Sequence, residues 1–177
     1  SSWVIGETNV ELGTTGIIRW IRAESKRGSN EIMIATSDAS NDIYAYRWTG
    51  AALLNGKTLT ALTNGLTTQS FDIAWENTSG NCMVLWKQGT VTNYDYWNGA
   101  AWLGSAGTGP NIATSAAGNG WIKISADTSS GSNKIGFASL DNNVDWNLCI
   151  WDGASWGSLP TEDATMAAVA YRGIDIA

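Results

Sequence analysis

Trp151-Asp152-Gly153-Ala154-Ser155-Trp156 is the stretch whose reading decides the fold. It recurs as Trp97-Asn98-Gly99-Ala100-Ala101-Trp102. It recurs again, with the last ring replaced, as Trp48-Thr49-Gly50-Ala51-Ala52-Leu53. Asn-Gly or Asp-Gly between apolar runs signals a β-hairpin, because both residues tolerate the positive φ of a type I′ turn. A strand therefore runs into the first Trp of each copy and another leaves through the last. Three copies in register make the chain a tandem repeat.

Working outward, each unit opens on a strand: Trp20-Ile21-Arg22-Ala23-Glu24, Phe71-Asp72-Ile73-Ala74-Trp75 and Trp121-Ile122-Lys123-Ile124-Ser125. A fourth copy begins at Ile174-Asp175-Ile176-Ala177, so the starts at 20, 71, 121 and 174 lie 51, 50 and 53 residues apart. A second strand follows the turns Gly28-Ser29-Asn30, Ser79-Gly80-Asn81 and Gly131-Ser132-Asn133, where the repeated Asn suits a left-handed turn position. Ile32/Ile34, Met83/Leu85 and Ile135/Phe137 are the expected apolar pairs of one face. Trp3 holds the place of a last motif Trp. Ala164–Ala170 aligns with the linkers of the other units rather than with a helix.

Four short antiparallel strands about every 50 residues are the signature of a propeller blade. The expected fold is all-β, a β-propeller of roughly 50-residue four-stranded blades with about 3.5 blades in this chain. Residues 1–177 form one repeat domain. Residues 1–19 are the last strand and linker of a preceding unit, 20–70, 71–120 and 121–173 are three units, and 174–177 open a fourth. A β-sandwich is the alternative; it accounts for the strands and not for the repeat. One blade cannot bury both of its faces, so stacked neighbours supply the core and the 11 Trp residues fill the space between sheets.

On these motifs the chain resembles secreted bacterial β-propeller repeats, with kelch-like repeats and the Asp-box of sialidase-type propellers as the nearest patterns. The Asp-box order, Ser-x-Asp-x-Gly-x-x-Trp, is only partly echoed by Trp151-Asp152-Gly153-Ala154-Ser155-Trp156, which lacks the Ser two residues before Asp. The kelch double glycine is absent. The resemblance implies the architecture and no functional residue.

Composition narrows the partners. Net charge is −6, and the 10 Lys and Arg form no patch beyond the loose group Arg19, Arg22, Lys26 and Arg27. Phosphate backbones need clustered cations, so nucleic acid is not an expected partner. No apolar run approaches the roughly 18 residues of a membrane span. Charged residues are 15%, and hydroxyls and amides must cover the surface, which points to an extracellular or cell-surface protein. No signal peptide is visible, so the chain is expected to begin after a cleavage or to be a piece of a longer protein. Cys82 and Cys149 are expected as two small buried thiols, with a single bridge as the other reading.

Histidine is absent, which removes Ser-His-Asp and Cys-His nucleophile systems. The repeat-equivalent pairs Asp38/Asp141 and Asp42/Asp145 suit turn capping better than calcium, since no compact Asp-x-Asp-x-Asp cluster exists. Carboxylate pairs serve glycoside hydrolysis, but a sialidase also needs clustered arginines, and the five here are Arg19, Arg22, Arg27, Arg47 and Arg172. No enzyme, cofactor or metal is expected. Trp48, Trp97 and Trp151 are the candidate ligand-binding residues, as platforms for sugar rings; as blade-packing rings they have a structural role instead. Asn77-Thr78-Ser79 fits a glycosylation acceptor. The functional expectation is a non-catalytic module for binding or adhesion to glycan or a cell-surface partner. The alternative is a structural subunit of a surface layer or filament, a homo-oligomer joined through open blade edges.

Overall fold

The computed structural model describes residues 16–40, 42–61, 68–88, 91–104, 107–111, 121–140, 146–157 and 176. These residues form eleven strands in three antiparallel meanders and no helix. Blade 1 is β1 (Ile18–Ser25), β2 (Ile32–Asp38), β3 (Asp42–Trp48) and β4 (Leu53–Ala61). Blade 2 is β5 (Phe71–Trp75), β6 (Cys82–Gln88), β7 (Val91–Trp97) and β8 (Gly107–Asn111). Blade 3 is β9 (Trp121–Ala126), β10 (Ile135–Leu140) and β11 (Trp146–Trp151), extended by a bridge from Trp151 to Trp156. The innermost strands meet, with β5 packed against both β1 and β9. The chain is thus a partial β-propeller. Trp3, Asp141, Asp145, Ala164–Ala170, Arg172 and all of the fourth unit but Ile176 lie outside the described residues.

Strand pairing corrects the repeat register by one residue. Ile21 pairs with Thr36, Phe71 with Trp86 and Ile122 with Ser139, so Ile21, Phe71 and Ile122 are the equivalent positions, not Trp20, Phe71 and Trp121. On the second strands, Ile32, Cys82 and Ile135 face Trp48, Trp97 and Trp151. Met83 and Leu85 therefore belong to the face opposite that of Ile32/Ile34. Each blade has a leading face toward the lower-numbered blade and a trailing face toward the next. Blade 2 is apolar on both. Cys82, Val84 and Trp86 join Met33, Ala35 and Ala45 of blade 1, while Met83 and Leu85 join Ile122, Ile124, Ile135 and Phe137 of blade 3. Cys82 and Cys149 are free buried thiols, one in each of these cores.

The motif turns do not centre on the Asn-Gly and Asp-Gly pairs as expected. Their central residues are Gly50-Ala51, Gly99-Ala100 and Gly153-Ala154, closed by the amides of Thr49, Asn98 and Asp152 on the carbonyls of Ala52, Ala101 and Ser155. The glycines have φ of 92°, 93° and 101° at the first central position, a left-handed conformation that favours glycine. The side chain before each glycine caps the turn: Asn98 Oδ1 accepts from the amides of Ala100 and Ala101 at 3.0 and 2.9 Å. In the β1–β2 turn and its repeats the left-handed residues are Gly28, Gly80 and Gly131. Asn133 instead reaches across blades, its Oδ1 accepting the amides of Thr78 and Ser79. Asn77 joins the same seam by donating to the Ser129 carbonyl at 2.8 Å.

One glycine position yields a stability test. A Cβ on Gly56 of β4 would lie 2.3 Å from a ring carbon of Tyr46 and 2.9 Å from the Ala45 carbonyl. Gly56→Ala is expected to cost about 1–3 kcal/mol through overpacking, measured by urea denaturation. An unchanged midpoint would show that Tyr46 moves aside freely.

At the hub, Arg22, Asp72 and Lys123 share one repeat position on β1, β5 and β9. The Asp72 carboxylate is fully buried. It takes the Arg22 guanidinium at 2.6 Å, the Lys123 ammonium at 3.6 Å and the Ile124 amide at 3.0 Å. One side chain thereby ties three blades.

Candidate functional site

The two internal clefts show what happens to a motif Trp when a blade precedes it. Trp97 lies under blade 1, with the Arg47 guanidinium 4.6 Å from its ring centre and Trp102 beside it at 6.0 Å. Its indole N–H is buried without a partner. Trp151 lies under blade 2, against Tyr96 at 5.6 Å and Trp156 at 5.5 Å, and its indole N–H donates to Glu76 at 2.7 Å. Glu76 is buried and also accepts from the Tyr96 hydroxyl, the Ser79 hydroxyl and the Asn81 amide. Burial, and then the Glu76 charge beside it, push the Tyr96 phenol far above its ordinary range, so it stays a donor. Trp97 and Trp151 thus carry packing contacts.

Trp48 differs. It is half-buried and lines a pocket of about 370 Å³ on the leading face of blade 1. Ser25, Ser29, Asn30, Glu31 and Gly50 share that lining. Two hairpins position the set: Trp48 ends β3, and the polar residues ring the β1–β2 turn. Glu31 is fixed before any ligand arrives. Its carboxylate takes the Lys26 ammonium at 3.1 Å on one oxygen and the Arg47 guanidinium on the other. Burial raises the Glu31 carboxyl, but the bonds from Lys26 and Arg47 outweigh it and hold the group below its ordinary range. The result is an aromatic platform beside a carboxylate acceptor, ionised at neutral pH, and short hydroxyl and amide side chains.

Sequence reasoning singled out Trp48, Trp97 and Trp151 together and missed Glu31, Arg47 and Lys26. The only signal was the recurrence of a turn before β2. Of the carboxylates expected to cap turns, Asp38 does so, accepting the amides of Gly16, Ser40 and Asp42 at 3.0, 2.9 and 3.1 Å, whereas the Asp42 carboxylate accepts the Tyr44 hydroxyl at 3.1 Å. Among the described residues no group of three or more Cys, Asp or Glu could hold a metal ion.

No family model and no curated protein matches this sequence. Solved structures do. The fucose-specific lectin from Aleuria aurantia, in its Hg-derivative form, is 16% identical over 84% of this chain and 46% of that one, with a TM-score of 0.57. A second structure, titled as a fungal lectin with a six-bladed β-propeller fold and a novel fucose recognition mode, is 14% identical. It matches over 85% of this chain and 46% of that one, at a TM-score of 0.55. A third, the N224Q mutant of the same lectin in complex with Fucalpha1-6GlcNAc, is 13% identical over 83% of this chain and 47% of that one, at 0.53. These similarities establish the propeller fold. The chain spans about half the length of the structures it matches.

Proposed function

We propose that this chain is a non-catalytic β-propeller module that binds carbohydrate, on a secreted or cell-surface protein of bacterial type that serves adhesion. The observation that carries the reading is the Trp48 pocket with its preorganised Glu31 carboxylate. A saccharide offers an apolar C–H face to an indole and hydroxyl donors to a carboxylate, and charge-assisted bonds of this kind are the stronger ones. The lectin titles of the similar structures and the hydroxyl-rich surface support it.

The test is calorimetric titration with fucose first, because those titles name it, and with galactose, mannose and N-acetylglucosamine beside it. Wild type is expected to bind one of them saturably, and Trp48→Ala to weaken binding at least about tenfold, about 1.4 kcal/mol. Absence of binding to every neutral saccharide on an array, or a Trp48→Ala variant that binds like wild type, overturns the reading. The pH dependence is signed. The folded carboxyl of Glu31 lies below its ordinary range, so the anion, and binding with it, persists as pH falls past about 4.3. Binding declines only at lower pH, and Glu31→Gln removes that decline.

A second reading, assembly through open blade faces, is favoured by the exposed apolar surface of blade 3.

A further inference from the structure

Asn98-Gly99, in the turn that follows β7, has chemistry that neither the fold nor the carbohydrate reading uses. Asn98, Gly99 and Ala100 are exposed, and a Cβ on Gly99 would meet nothing within 4 Å. Blades 1 and 3 flank blade 2 within this chain, so the turn stays open with both neighbours in place. With no side chain on Gly99, its backbone nitrogen approaches the Asn98 side-chain carbon unhindered. Attack there closes a succinimide ring, and water reopens it.

The turn assists both steps. Asn98 Oδ1 accepts the amides of Ala100 and Ala101 at 3.0 and 2.9 Å. This oxygen gains negative charge when the Gly99 nitrogen adds to Cγ, and gains it again when water adds there. Fixed backbone donors on an oxygen that becomes an oxyanion stabilise the transition state. Among the described residues no backbone amide donates to the Asn98 main-chain carbonyl, the other carbon that water can attack.

The repeat also displays the product. Asp152 stands at the same place in the blade 3 turn, its Oδ1 on the amides of Ala154 and Ser155 at 2.9 and 2.8 Å. The bonds from Ser155 and Ala154 hold its carboxyl below the ordinary range. The glycines that follow match, with φ of 93° at Gly99 and 101° at Gly153. An aspartate at position 98 therefore needs no rearrangement. Blade 1 has Thr49 in this place, a cap that cannot undergo the reaction.

We propose that Asn98 is a self-modifying site whose turn directs it to aspartate rather than isoaspartate. The Gly99 nitrogen bonds to Cγ and releases its proton to solvent, the Cγ–Nδ2 bond breaks, and ammonia leaves. Water then adds at Cγ, the new Cγ–N bond breaks, and the Gly99 nitrogen regains a proton. One water is consumed and one ammonia released, with no oxidant, reductant or cofactor. Water attack on the main-chain carbon instead reroutes the backbone through the side chain and forgoes the two amide donors. The net charge moves one unit beyond −6. The site is on blade 2, so it stands whether or not the Trp48 pocket binds carbohydrate.

The experiment incubates the purified chain at mildly alkaline pH, folded and in urea, and maps peptides by a method that separates aspartate from isoaspartate. Asn55-Gly56, Asn64-Gly65 and Asn119-Gly120 are mapped beside Asn98-Gly99 to tell conversion here from conversion elsewhere. Asn98 is expected to convert in the folded chain. Its ratio of aspartate to isoaspartate is expected to be about two- to tenfold higher folded than in urea, the factor that one net hydrogen bond supplies. Asn98→Asp is expected to melt no lower than wild type. Asn98 left intact in the folded chain while it converts in urea overturns the proposal, because the turn then protects the amide. An equal product ratio in the two states overturns it as well, and so does an Asn98→Asp variant that melts well below wild type.

Discussion

Asp72→Ala is expected to lower the melting temperature by about 10 °C. The carboxylate is fully buried and holds Arg22, Lys123 and the Ile124 amide. Removing one partner of a buried ion pair costs about 3–5 kcal/mol, because the remaining charges lose their compensation. The Arg22 and Lys123 side chains keep 31% and 15% of their exposure, so solvent recovers part of the loss and the low end applies. For a chain of this length each kcal/mol shifts the midpoint by about 2–4 °C. Asp72→Asn discriminates the cause. It keeps the shape and an acceptor for the Ile124 amide but not the charge. A midpoint near wild type in Asp72→Asn would mean that the amide bond, not the ion triad, holds the hub.

Trp151→Ala is expected to cost about 4 kcal/mol, read from the urea midpoint of the purified chain. Burying a large aromatic is worth about 3–5 kcal/mol against Ala. Here the loss also strips Glu76 of one donor in a buried setting. Trp151 touches Tyr94, Tyr96 and Trp156, so the cavity opens in the centre of the blade 2–blade 3 core. Trp151→Phe keeps most of the ring and removes only the N–H. It is expected to cost about 1–3 kcal/mol, the range for leaving a buried acceptor short of a partner. Equal losses in the two variants would place the whole effect on the hydrogen bond. Natural stabilities run about 5–15 kcal/mol, so the Ala variant approaches the limit of folding.

The hairpin repeat and the propeller class were legible because Trp-x-Gly-x-x-Trp recurs with its flanking strands. The register was not. Cys82-Met83-Val84-Leu85-Trp86 is apolar at every position, since blade 2 is packed on both faces, and a strand without alternation gives no sign of which residue points where. That one-residue slip also hid the hub triad: Arg22, Asp72 and Lys123 fall into one column only after it is corrected. The centre of each turn was hidden for a local reason. Asn98-Gly99 and Asp152-Gly153 read as central pairs, whereas Asn98 and Asp152 stand before the centre and cap the turn with their side chains. The candidate site was half legible. Trp48, Trp97 and Trp151 are alike in sequence, and only the stacking order of the blades decides that two are covered. Glu31 owes its role to Arg47, 16 residues away across β2 and β3, a contact no local pattern announces.

The signs in the hub column have a bearing on fidelity rather than strength. Blades of one repeat share their shape, so a folding chain can pair the wrong two and still bury apolar area. Plus, minus, plus at one level of three adjacent strands forbids that exchange. A misthreaded chain that set blade 1 against blade 3 would bring Arg22 beside Lys123 with Asp72 displaced, two cations facing each other in place of a salt bridge. A single aspartate thus works as a key, telling otherwise interchangeable blades which one belongs in the middle.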